Sequence, residues 1–288
     1  MNVTTYDTLN NRGEQIVFLL KNLFAQFHTY TMQELSFEIE KMNRRSLQLK
    51  YNEKNIKKIY ALLLKGELQE FSSYEDCEGY DDPDPYYDPA SETKVEHYPP
   101  NFSLGISCNY ASTYPPHFSE KFLFPNEFNF ALSERLFDGK IPSTIQAAFV
   151  EFFKKTIQVL NGVTGFITYE AISGGSHMRT PFENYNRIDP SMRPGYVEHV
   201  KGYFWLNYLS DNHISRLGGE EYIRQHAPCE VRELKGHGMI LQLTEDINDY
   251  SDDRLRALRE FVSPLFPPNT GLEPAFLSDD RYWHRLVE

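Results

Sequence analysis

Two residues apart in the run "VRELK", Glu233 and Lys235 are the residue types that a metal-dependent nuclease sets around Mg²⁺ and a scissile phosphate. Such a site needs a further acid on the neighbouring hairpin, and none is identifiable there. An exposed, charged strand face accounts for the pair better. His226, Cys229 and His237 come nearest to a metal set, but zinc needs a fourth ligand and closely spaced pairs. The other histidines are scattered, and Asn207 or His213 alone makes no catalytic set. No G-x-S-x-G, P-loop, H-E-x-x-H or paired C-x-x-C pattern occurs. The expectation is a protein that is not an enzyme, with no catalytic residue, metal or cofactor.

Charge is the stronger signal. The chain carries a formal net charge of −12, unevenly spread. Residues 41–65 hold Lys41, Arg44, Arg45, Lys50, Lys54, Lys57, Lys58 and Lys65 against Glu53 alone, a net +7. Residues 75–96 hold nine acids against Lys94, a net −8. Clustered Lys and Arg are what phosphate contacts require, so the first segment could serve nucleic acid. Lys54, Lys57, Lys58 and Lys65 also fit the solvated face of an amphipathic helix, and the adjacent acids would repel phosphate. Nucleic acid is not the expected partner.

The acidic segment has two readings. One is a solvated insertion. The other is a partner-facing surface of Glu75, Asp76, Glu78, Asp81, Asp82, Asp84 and Asp88, whose carboxylates imitate a phosphate backbone. Tyr80, Tyr86 and Tyr87 would add the rigid, amphipathic area that anchors protein interfaces. Carboxylates would also speed encounter with a basic partner.

These segments need elements to hold them. At 288 residues, with 40% hydrophobic residues, the chain can bury a substantial core as one large domain or two smaller ones. No apolar run reaches 18 residues, and the first residues lack the basic and apolar regions of a secretory signal. A cytoplasmic protein is expected. Cys77, Cys108 and Cys229 are odd in number and widely spaced, which argues for reduced thiols.

Ile16, Leu19, Leu20, Leu23, Phe24 and Phe27 recur at helical spacing. Thr31 and Glu34 read as a capping box opening a second helix to about Met42. "RSLQLKY" alternates like a strand. Asn52 caps a third helix that Gly66 ends, and "ELQEFSSYE" and "FSLGISCNYAS" read as strands. Between them lies a long acidic loop with five prolines. Residues 113–142 look aromatic and irregular. Ser143 with Gln146 reads as a capping box for a helix to about Asn161. "VTGFITYEAI" and "VKGYFWLNYL" read as strands, the second a central one, apolar on both faces. Ser210-Asp211 starts a helix, Gly218-Gly219 ends or kinks it, "CEVREL" and "GMILQLT" form a hairpin, and Ser251 caps a last helix.

The expected fold is α/β in the α+β sense: two layers, mainly antiparallel sheet covered by helices. The order of elements in 45–161 and 199–263 raises a duplicated ferredoxin-like βαββα unit as one arrangement. The division is an N-terminal helical hairpin at 1–44, a first half at 45–172 with the acidic loop 75–100, and a second half at 173–288. The halves can form one continuous domain.

The run "GYFWLNYLSDNHISRLGGEEYIRQHAPCEVREL…GHGMILQLTED" resembles the type VI secretion immunity family, also catalogued as DUF3396. The motif positions are Trp205, Asn207, Leu209, Leu217, Gly218, Gly219, Ala227, Pro228, Leu241, Gln242, Leu243 and Thr244. The match covers about residues 200–245 and extends more weakly back to 143–172. The resemblance implies a protein that binds and neutralises a cognate effector toxin, encoded by the adjacent gene and in some cases a nuclease. The motif residues have the character of core and turn positions, so they do not locate an interface.

Overall fold

Apolar residues at every third or fourth position give α1 (Gly13–Phe27) a buried side running from Ile16 to Phe27. The computed structural model describes residues 1–27, 35–43, 45–75, 102–108, 124–132, 134–137, 140–168, 195–200, 202–249 and 251–267. Within them α1 lies against α2 (Glu53–Leu64) and α3 (Ser143–Leu160). Asn52 caps α2 as expected, its side chain accepting the Asn55 N–H at 2.9 Å.

Ten strands among the described residues form one sheet: β1 (Asn2–Thr5), β2 (Leu35–Lys41), β3 (Ser46–Lys50), β4 (Leu68–Glu75), β5 (Phe102–Ser107), β6 (Asn126–Leu132), β7 (Thr164–Ile167), β8 (Leu206–Leu209), β9 (Glu230–Leu234) and β10 (Gly238–Gln242). Their order is β3-β2-β4-β5-β6-β1-β7-β8-β10-β9, and every neighbouring pair is antiparallel. Four further helices complete the described chain: α4 (Gly195–Glu198), α5 (Asp211–Arg216), α6 (Glu220–His226) and α7 (Asp252–Val262). The fold is α+β with an antiparallel sheet, as expected. No helix among the described residues is long and apolar enough to cross a membrane.

Several local expectations are corrected. The helix read into 31–42 is β2: Leu35, Phe37 and Ile39 are buried while Glu38 is exposed, a period of two. Thr31 and Glu34 lie outside the described residues. The N-terminal helical hairpin at 1–44 therefore loses its second helix, and its first residues become β1, paired on both edges at the middle of the sheet. Residues 126–132, expected to be irregular, form β6, whose Phe128 and Phe130 alternate with Glu127 and Asn129. Pro142, not Ser143, is the N-cap of α3, with no side-chain cap bond. Tyr203, Phe204 and Trp205 are buried but precede β8, which starts only at Leu206.

The expected repeat is replaced by a looser likeness. Each end of the sheet has two parallel strands joined through helix, with an antiparallel strand between them: β3–α2–β4 around β2, and β8–α5–α6–β9 around β10. The inserted strand comes first in one case and last in the other, so the two units are not the same βαββα topology.

Two cores flank the middle strands. One gathers α1 and α2 residues with Phe37, Phe71, Phe102 and Phe130; the other surrounds Trp205, Met239, Leu241 and Leu258. Helix α3 serves both, since Phe152 belongs to the first and Phe153 to the second. Burial of each such side chain favours folding by roughly 1.5–3 kcal/mol.

Candidate partner interface

Of the residues expected to face a partner, Asp76, Glu78, Tyr80, Asp81, Asp82, Asp84, Tyr86, Tyr87 and Asp88 lie outside the described residues. Glu75 is the last residue of β4, its backbone opposite Leu35. Because β4 and β5 are antiparallel neighbours, Glu75 and Phe102 lie at the same end of the sheet. Lys50, opposite Ser36, lies at that end too, two strands from β4. At the usual strand spacing that is about 10 Å. The stems of the acidic segment thus sit beside the basic one.

The register assembles a second acidic surface that sequence reasoning missed. On the sheet face opposite α1, α2 and α3, Glu40 pairs across the ladder with Glu70, and Glu38 lies opposite Ser72, diagonal to Glu70. Like charges set directly opposite destabilise a sheet. Burial raises the Glu70 carboxyl pKa, and the carboxylates of Glu40 and Glu38 add to the rise. Glu70 still reaches solvent, so the burial contribution is screened. None of these three glutamates forms an ion pair among the described residues. Beside them the face is low: Ser72 is followed by Gly105 and Asn129, with Ser103 and Ser107 on either side along β5. Alternation in "LSFEIEK" and "LQEFSSYE" was the available signal; the cross-strand register was not.

The helix side carries the opposite charge. Lys54, Lys57, Lys58 and Lys65 are exposed along α2, with Lys57 bound to Glu53 at 2.6 Å. Lys21 lies over the Tyr60 ring and Lys155 over the Phe18 ring, at 5.7 and 5.3 Å from the centroids. Exposed lysines thus predominate on the helix side, while the other face carries Glu38, Glu40 and Glu70 with Lys50 of β3 diagonal to Glu38.

The remaining chemical candidates have structural explanations. Glu233 on β9 lies 3.5 Å from Arg224, and Lys235 begins the turn to β10. The His226 ring stacks on Tyr222 at 4.2 Å, with Nδ1 at 2.9 Å from the Tyr222 carbonyl. Burial pushes the Cys229 thiol up to about 12, and the His237 carbonyl accepts the Tyr208 hydroxyl. Among the described residues no group of three or more His, Cys, Asp or Glu is placed to hold a metal. A crevice beside the stacked rings of Phe166 and Phe204, 3.8 Å apart, measures about 10 Å³. That is about the least room a water molecule needs.

The motif at 200–245 builds core and turns. Trp205 Nε1 donates to the Thr244 carbonyl and hydroxyl at 2.9 and 3.0 Å, and the Trp205 carbonyl takes Leu243 N–H at 2.7 Å. The Asn207 side chain accepts from Phe204 N–H at 3.0 Å and donates to its carbonyl at 2.8 Å, standing in for a paired strand. Gln242 Nε2 donates to the Thr244 carbonyl at 3.0 Å. Gly218 and Gly219 turn the chain from α5 to α6 with φ of 103° and 94°, a region side chains rarely adopt.

No family model matches the chain, and no curated protein matches it. Among solved structures, the T6SS protein PA0821 of Pseudomonas aeruginosa has a similar fold. Its TM-score is 0.60 at 11% identity, covering 99% of this chain and 82% of that one.

Proposed function

We propose that the chain is an immunity protein of a type VI secretion system, binding a cognate effector toxin stoichiometrically and neutralising it by occlusion. The observation that carries the reading is the fold held in common with a T6SS protein over 99% of this chain. The resemblance of residues 200–245 to the immunity family points the same way. The binding surface we assign is acidic: the face bearing Glu38, Glu40 and Glu70, together with the acidic segment 75–96. Carboxylates held next to one another on an open face cost stability in the free protein. A basic partner, such as the phosphate-binding groove of a nuclease, would turn that cost into attraction.

The test is co-expression with the neighbouring open reading frame, followed by a growth assay and pull-down. Rescue from a toxic neighbour with a stable complex is the expected result; a harmless neighbour, or one that kills regardless, refutes the reading. Given a complex, lysine at Glu38, Glu40 and Glu70, or at Asp81, Asp82, Asp84 and Asp88, should slow association about 10- to 100-fold at low salt. Unchanged association for both sets would place the interface elsewhere.

A second reading, nucleic-acid binding through 41–65, draws on the exposed lysines of α2. It expects salt-dependent retention on DNA that falls when Lys54, Lys58 and Lys65 are replaced.

A further inference from the structure

Two buried histidines meet where α5 grips the chain on either side of it. His213 is fully buried and His199 is 5% exposed. Ser210 caps α5, and its backbone N–H donates to His213 Nδ1 at 3.3 Å, half of a capping box in which the other half is the Ser210 side chain. With that N–H donating, Nδ1 carries the lone pair and Nε2 the proton, and the Ser210 hydroxyl stands 3.2 Å from the same Nδ1. Nε2 has no hydrogen-bond partner, although the carbonyls of His199 and Tyr196 lie close enough to favour a charged ring. His199 uses the other tautomer, with Nδ1 donating to the Leu265 carbonyl at 3.2 Å.

Around this pair, α5 holds two segments. Asn212 donates to the Val197 carbonyl at 2.8 Å, and Arg216 donates to the carbonyls of Glu198 and of Pro264, the latter at 3.3 Å. The segments are also tied to each other, Val200 N–H donating to the Leu265 carbonyl at 3.1 Å. The strap of α4 and His199 and the turn Ser263–Leu265 thus depend on α5 keeping its place.

We infer that His213 and His199 form a proton-operated latch: a proton taken up by the buried pair opens the Ser210–His213 cap and frees residues 195–200 and 263–265 from α5. The chemistry is one of donors and acceptors. A proton on Nδ1 takes the acceptor away from the Ser210 N–H and leaves the ring only the Ser210 hydroxyl, 3.2 Å away, to donate to on that side. The resulting cation lies beside Arg216 and His199 on a side chain that is fully buried. Arg216 on α5 and His199 on the strap both oppose the charge, Glu198 on the strap favours charging of His199, and Ser263, Pro264 and Leu265 carry no titratable side chain. Asp211 on α5 acts on Tyr208 of β8. Burial first, and Arg216 second, hold His213 down at about 4, while burial also lowers His199.

An opened His213 would titrate at an ordinary value near 6.5. The opening equilibrium should then rise about tenfold per pH unit from pH 6.5 down to 4 for that residue alone. The latch is independent of the immunity reading.

Hydrogen exchange from pH 7.5 to 4.5, corrected for intrinsic rates, tests it on the full chain. The Ile214, Leu217 and Gly219 amides, bonded along and just beyond α5, are the probes, and the amides of β10 are the internal reference. The expected result is roughly tenfold faster opening of α5 per unit below pH 6.5, while β10 stays protected. His213→Gln keeps a side chain able to reach back to the Ser210 N–H but takes up no proton, so it should flatten the slope. His199→Gln should remove its smaller share. A flat wild-type profile, or a His213→Gln profile as steep as wild type, overturns the latch. Should the variant fail to fold, the NMR titration of His213 in wild type decides. No protonation above about pH 5 while α5 is closed supports the latch, and an ordinary midpoint near 6.5 without α5 opening overturns it.

Discussion

Gln146 should prove one of the most costly polar residues to remove, because it ties α3 to the loop after β10. It is 6% exposed. Nε2 donates to the Ile141 carbonyl at 2.9 Å and to Asp246 Oδ1 at 2.7 Å, and Oε1 accepts Ile247 N–H at 2.9 Å. In Gln146→Ala the Ile247 amide, in a residue 4% exposed, loses its acceptor. A buried orphan donor costs about 1–3 kcal/mol, and a lost bond to a carboxylate about 1.5–3 kcal/mol. The Ile141 carbonyl keeps Asn248 Nδ2 at 3.0 Å, so that loss is small. The sum is about 2.5–6 kcal/mol, read from the urea midpoint at constant slope.

Gln146→Glu sharpens the test. It keeps the acceptor for Ile247 but faces Asp246 with a second carboxylate. In the wild type, Asp246 is held below the usual carboxylate range by the Asn248 N–H and then by the Gln146 amide. Its contribution is present above the unfolded value and is lost as pH falls through the folded one. The paired carboxylates of Gln146→Glu titrate higher in the fold than when unfolded, so their penalty stands at pH 7 and fades toward pH 4.5. Measured against Gln146→Ala at each pH, Gln146→Glu should therefore gain stability on acidification. Ser143→Ala should cost almost nothing, whereas a capping-box serine would cost about 1 kcal/mol. A loss below 1 kcal/mol for Gln146→Ala, or parallel pH profiles for the two variants, would refute the tether.

Other outcomes can be stated as firmly. Gly238→Ala places a Cβ 2.2 Å from the Leu209 carbonyl oxygen at a φ of 105°, and should cost more than about 3 kcal/mol or prevent soluble expression. Trp205→Phe removes the donor to Thr244 and should lower stability by about 1–3 kcal/mol in urea unfolding. Glu70→Gln relieves the charge opposite Glu40 and should raise stability by a few tenths of a kcal/mol at pH 7. Its advantage should shrink as pH falls, since the raised Glu70 pKa means wild type loses the same repulsion on protonation. Cys108, fully buried and pushed up to about 12, should react with a thiol reagent only as fast as the chain opens, and the partly exposed Cys229 should react sooner.

Much of the fold could be read from residues whose local signals agree. Ile16 to Phe27, the Asn52 cap and the hairpin around Gly236 each combine the right period with the right punctuation. Misreadings came where signals competed. Thr31 and Glu34 imitate a helix start and outweighed the alternation of Leu35, Phe37 and Ile39 that follows. Strand β1 has only Val3 as a large apolar residue, and its place depends on Glu127, Asn129 and Phe166 far along the chain. The Ser143–Gln146 spacing matched a cap, but Gln146 turned toward Asp246, 100 residues away in sequence. The acidic face was hidden for the same reason: Glu38, Glu40 and Glu70 become neighbours only once β2 and β4 are in register.

The central position of β1 sets a timetable for synthesis. Residues 2–5 fill the slot between β6 and β7, and Val3 must wait for Gly165, about 160 residues further along the chain. At the usual 5–20 residues per second, that is roughly 8–30 s on the ribosome. The growing chain can zip β2 through β6 beforehand, but the two halves of the sheet are joined only when β1 is enclosed between β6 and β7.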